Sequence, residues 1–146
     1  MLQWRNVVVL LERGLATPED YARGADTILA QAQRYPRGLG ILTVLPVELR
    51  VPAEATREAI ASAYTRLAPV LRGASFCVEG TDFWGAAVRA TLAGMQLLLR
   101  PDYPMRISDT LPEAARWIVR QAQRGTLPPV DPRELVEAIE DRRACL

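Results

Sequence analysis

Residues 6–20 read Asn-Val-Val-Val-Leu-Leu-Glu-Arg-Gly-Leu-Ala-Thr-Pro-Glu-Asp, and this stretch decides the fold class. Asn6–Glu12 is β-branched and almost wholly apolar, the pattern of a strand covered on both faces. Gly14-Leu15-Ala16 turns the chain, Thr17 offers a capping hydroxyl, and Pro18 suits the first helical position. Glu19 and Asp20 then place negative charge at the positive end of the helix. The helix should run to about Tyr35, where Tyr35-Pro36-Arg37-Gly38 stops it. Tyr21, Ala25, Ile28, Leu29 and Ala32 share one face, so this helix covers a sheet.

The same unit recurs outward along the chain. Gly40–Leu45 reads as a second strand, and Pro52 opens a helix to about Leu71, with Arg72-Gly73 ending it. Ala74–Glu79 is a third strand, and Gly80-Thr81-Asp82 caps a third helix over Phe83–Arg100. Tyr103–Ile107 is a shorter fourth strand, and Pro104 within it favours an edge. A fourth helix follows at Glu113–Arg124, presenting Ala114, Trp117 and Ile118 inward. After the connector Gly125–Val130, Asp131-Pro132-Arg133-Glu134 opens a last helix in capping-box style, running to about Arg143. The prediction is an α/β sandwich with a central four- to five-stranded, mostly parallel or mixed sheet flanked by helices. Residues 1–124 form the domain. Residues 125–146 supply a connector and a C-terminal helix that packs on the domain or docks a partner.

Composition narrows the chemistry. Of 146 residues, 49% are hydrophobic and 24% charged, with a formal net charge of +1. A chain this long buries roughly 68–70% of its unfolded surface and folds without a metal or disulfide. There is no His, and all 18 basic residues are Arg. These zeros remove His bases and ligands, Schiff-base lysines and the phosphate-binding Lys of P-loops. Arg in place of every Lys suggests a GC-rich bacterial genome. Cys77 and Cys145 lack metal-ligand spacing and read as free thiols in a reducing compartment. With no signal-peptide pattern and no long apolar span, the expected location is cytoplasmic, without integral membrane segments. Arg116, Arg120 and Arg124 line one helix face, but no aromatic-basic interleaving supports nucleic-acid binding.

Two motifs, with the order of elements, resemble the STAS-like family of bacterial anti-sigma-factor antagonists. They are Gly14-Leu15-Ala16-Thr17-Pro18-Glu19-Asp20-Tyr21 and Glu113-Ala114-Ala115-Arg116-Trp117-Ile118, and the resemblance covers roughly residues 5–124. It implies a non-catalytic domain that binds another protein, sometimes a nucleotide or lipid. The family's regulatory members carry a phosphorylatable Ser in an Asp-Ser-Ser-Gly-like turn. Here the corresponding stretch is Leu45-Pro46-Val47-Glu48-Leu49-Arg50, and the only serines are Ser62, Ser75 and Ser108. No phosphosite is carried across.

Two stretches are candidate sites. Glu79-Gly80-Thr81-Asp82-Phe83-Trp84, with Arg89, stands where strand ends hold ligands in open α/β sheets. One reading makes Glu79, Thr81, Asp82 and Arg89 a polar ligand pocket, or a metal site from Glu79 and Asp82. The other has Asp82 or Thr81 capping the helix, Gly80 turning the chain, and Phe83-Trp84 starting the core. The second stretch is Phe83–Leu99, apolar nearly all round apart from Arg89, Thr91 and Gln96. Such a helix expects cover on both sides, from its own chain or from a partner. In the partner reading Phe83, Trp84, Met95, Leu98 and Leu99 are contacts. No Ser or Cys has a His or Lys to activate it, so the expectation is a non-enzymatic interaction module without cofactor or metal. It would self-associate as a dimer or larger assembly, or dock another protein. The alternatives are a small-ligand or lipid binder, and a carboxylate- or metal-dependent enzyme at Glu79/Asp82.

Overall fold

In the computed structural model, residues 1–14, 16–46, 51–80, 82–124 and 129–145 are described. Five strands form one sheet in the order of the sequence: β1 (Leu2–Trp4), β2 (Val7–Leu11), β3 (Leu39–Leu45), β4 (Leu71–Val78) and β5 (Met105–Ser108). Strands β2 to β5 are parallel, and β1 adds antiparallel to β2 through the Arg5-Asn6 turn. The helices are α1 (Pro18–Ala32), α2 (Glu54–Leu67), α3 (Phe83–Leu99), α4 (Leu111–Ala122) and α5 (Pro132–Ala144).

Sequential strand order dictates where the helices go. When successive parallel strands add on the same side, crossovers of one hand put their helices on one face. Accordingly α1, α2 and α3 share a face and pack, with Val8, Ile41 and Phe76, into one apolar cluster. After β5 the chain crosses to the other face, where α4 and α5 cover Val7, Val9, Leu42, Val44 and Cys77. The molecule is therefore a three-layer α/β/α sandwich, and its sheet has no interior reversal of strand order.

The first strand–helix unit forms as its residues require. The Thr17 hydroxyl accepts from the Asp20 N–H while the Asp20 carboxylate accepts from the Thr17 N–H, a complete capping box. At α5 the Asp131 carboxylate accepts from the Arg133 N–H instead, and the expected reciprocal bond from Glu134 does not form. Helix α2 ends at Leu67, a 3-10 turn covers Ala68–Val70, and β4 starts at Leu71. Arg72 and Gly73 thus belong to a strand rather than a helix end, because pairing with β3 begins at Leu39↔Leu71. Gly40 and Gly73 let α4 settle close to the sheet: a Cβ on Gly40 would stand 3.0 Å from Ile118, and one on Gly73 3.1 Å from Gln121.

Helix α5 is part of the core. Leu135 and Ile139 are fully buried in the cluster that also holds Ile118 and Val119 of α4. At the far edge, β5 is four residues long and Pro104 precedes it, as the proline suggested.

Candidate functional site

At the carboxyl end of β4 the side chains are occupied by structural work. Arg143 of α5 donates two hydrogen bonds to the Glu79 carboxylate, at 2.8 and 3.1 Å, and a third to Glu140 at 3.1 Å. Asp82 caps α3, accepting from the Gly85 N–H at 2.9 Å. Arg89 turns back to donate to the Gly80 carbonyl at 2.8 Å and pairs with Asp109 at 3.5 Å. Gly80 holds a φ of +105°, and a Cβ on Gly85 would fall 2.6 Å from the Gly80 carbonyl oxygen, so the turn into α3 is tightly built. Glu79, Asp82 and Arg89 therefore do not converge on one open space. Thr81 lies outside the described residues. Among the described residues no group of three or more His, Cys, Asp or Glu side chains converges as a metal site.

Helix α3 divides into two faces. Gly85 and Val88 are buried, and Leu92 packs against the core. Outward, Phe83 is 77% exposed, Trp84 51%, Leu97 76% and Leu98 86%. Phe83 and Trp84 thus stack on each other edge to face in solvent and do not start the core. Leu99 is half-buried. Met95, grouped with the contact residues by composition, turns inward and lines a cavity.

That cavity is the feature the sequence reading missed. It measures about 280 Å³ and lies between the sheet and α1, α2 and α3, reaching the surface at exposed Met1, Gly14 and Asp20. Its walls are mainly apolar, with Ile28, Ile41, Ile60, Leu92 and Met95 among them. The polar atoms are few: Glu12 at the end of β2, Tyr21, Thr56, Thr91, and the buried pair Thr43 and Tyr64, whose hydroxyls lie 3.1 Å apart. Burial pushes the Glu12 carboxyl above its ordinary range, with Asp20 adding to the shift and the chain's amino group opposing it. Burial likewise pushes the Tyr21 phenol up to about 12. Glu12 ends an apolar strand, the one signal in the sequence that could have marked it. The cavity itself depends on how far α3 stands from the sheet, which no local pattern encodes.

Cys77 is poorly placed as a nucleophile. Burial pushes the Cys77 thiol up to about 12, and both cysteines are free. Ser75 and Ser108 are buried, and their hydroxyls have no hydrogen-bond partner among the described residues. Arg116 and Arg120 are exposed on α4, which ends at Ala122 rather than at Arg124, and Arg124 is exposed in the turn beyond it. No described helix is long and apolar enough to cross a membrane. No family model matches the chain, and comparison with curated proteins and with solved structures returns no significant match.

Proposed function

We propose that this chain is a non-enzymatic interaction module that pairs with a second copy through the outer face of α3. The carrying observation is the solvent exposure of Phe83, Leu97 and Leu98 on one helix. Large apolar side chains clustered in water mark a contact surface. Their arrangement favours a two-fold pair. Phe83 stands near the amino end, Leu97 and Leu98 near the carboxyl end, and Ala86, Ala90 and Gly94 recur at four-residue spacing between them. Nothing lies within 4 Å of where a Cβ on Gly94 would stand, so the middle of this face is open to a partner helix. Two such helices crossing antiparallel bring Phe83 of one copy against the leucines of the other, and the contact is self-complementary.

Other features support a role without catalysis. His and Lys are absent, Cys77 stays protonated, and Glu79 and Asp82 are held by Arg143 and Gly85. The resemblance to STAS-like proteins points the same way, toward a bacterial regulatory domain in the cytoplasm. The test is mass measurement by light scattering and native mass spectrometry, across a dilution series of wild type and Phe83→Glu/Leu98→Glu. Wild type should weigh two chains and the folded variant one. A monomeric wild type, or a variant that still pairs, overturns the proposal, as does a species holding a different polypeptide.

A further inference from the structure

We propose that the cavity beneath α3 is a binding site for a small apolar amine, a molecule with an aliphatic or aromatic body and one ammonium group held by Glu12. The site is separate from the pairing face, since Val88, Thr91, Leu92 and Met95 line it from the inner side of α3 while Phe83, Leu97 and Leu98 point away. Its volume, about 280 Å³, stands at the lower edge of the roughly 300–1,000 Å³ typical of small-molecule sites. It also opens near the carboxyl ends of β2 and β3, beside Glu12 and Leu45.

The polarity of the lining sets the ligand's charge. Among the described residues, the ionisable side chains that line the cavity are Glu12, Asp20, Tyr21 and Tyr64, and no arginine is among them. A carboxylate-bearing ligand would therefore meet repulsion from the Glu12 and Asp20 side chains, with the Met1 amino group the opposing charge at the rim. A neutral one would leave Glu12 as it stands, half-buried with no hydrogen bond or ion pair to its carboxylate among the described residues. An ammonium supplies what a desolvated carboxylate lacks, a charge-assisted hydrogen bond. The aromatic walls suit the same ligand: Tyr64 and Phe76 lie tilted with ring centroids 5.5 Å apart, and aromatic faces attract cations. The other charges near Glu12 are the Met1 amino group and Asp20, with Arg13, Glu79 and Arg143 around a second hollow that Glu12 also borders.

Three probes with one tail separate the possibilities: octylamine, octanol and octanoate, titrated calorimetrically into the full chain near neutral pH. Octylamine should bind roughly tenfold or more tightly than octanol, the scale of one hydrogen bond to a charged group. Octanoate should bind weakest. Glu12→Gln should bring octylamine down to the octanol level and leave octanol unchanged. Ala63→Trp, which fills the cavity, should abolish binding of all three. If circular dichroism shows that variant unfolded, Thr91→Trp fills the space from the α3 side. Equal binding of the three probes, a preference for octanoate, or an amine preference that survives Glu12→Gln overturns the proposal. So does an absence of binding by the folded wild type, whatever its state of association.

Discussion

Asn6 is the chain's sole asparagine, and it joins three segments far apart in sequence. Its side-chain amide donates to the Ala122 carbonyl at 2.8 Å and the Gly38 carbonyl at 3.2 Å, its side-chain oxygen accepts from the Gln123 amide, and its backbone carbonyl accepts from Gly40 at 2.8 Å. Asn6→Ala would leave two carbonyls and an amide unpartnered, so it should cost about 1–3 kcal/mol in urea denaturation. Glu12 predicts the opposite sign. A carboxyl whose folded pKa is raised binds its proton more tightly in the folded state, so stability falls as pH rises through that window. Glu12→Gln mimics the neutral form and should raise the melting temperature near pH 7. The gain should shrink on acidification and vanish below the ordinary glutamate range, a trend followed by calorimetry across pH. Neither role was visible in the sequence, where Asn6 merely began a strand and Glu12 ended one.

Two helices that composition treated alike in importance turn out to do opposite things. Helix α5 is the more polar, with Arg142-Arg143 beside Glu140 and Asp141, yet it seats Leu135 and Ile139 at zero exposure and clamps Glu79 through Arg143. Ile139→Ala should therefore cost about 2–5 kcal/mol of global stability, measured by denaturant unfolding. A helix merely resting on the surface would lose almost nothing. Helix α3 is the more apolar and the less embedded. Its caps and composition were legible, and Asp82 does cap it, but which of its faces meets the protein depends on the sheet order behind it. The strand–helix alternation was readable because each strand carries a continuous apolar run and each helix a periodic one. The hairpin strand β1 was not, being three residues long with Gln3 at its centre. The end of α2 was misread for a related reason: Leu71 fits a helical spacing, and pairing with Leu39 outweighs it.

At the scale of the whole molecule, the α/β class was legible, but the order of the strands was not, and that order places three helices on one face. It also fixes what lies at the two margins of the sheet. One margin is closed by β1, a short antiparallel strand, and the other by four-residue β5 behind Pro104, with Arg106 exposed and paired to Glu113. Short strands, proline and charge are the devices that keep open margins from recruiting further strands. These margins oppose growth by strand addition, so in the proposed pair association falls to the helices, whose two-fold contact would consume its own surface. Raising the protein concentration should saturate at two chains, with no thioflavin-positive or filamentous material, as light scattering and electron microscopy would register. With pairing as proposed, the blunt rim of the sheet would give the protein a finite valence: one neighbour, after which the surface is spent.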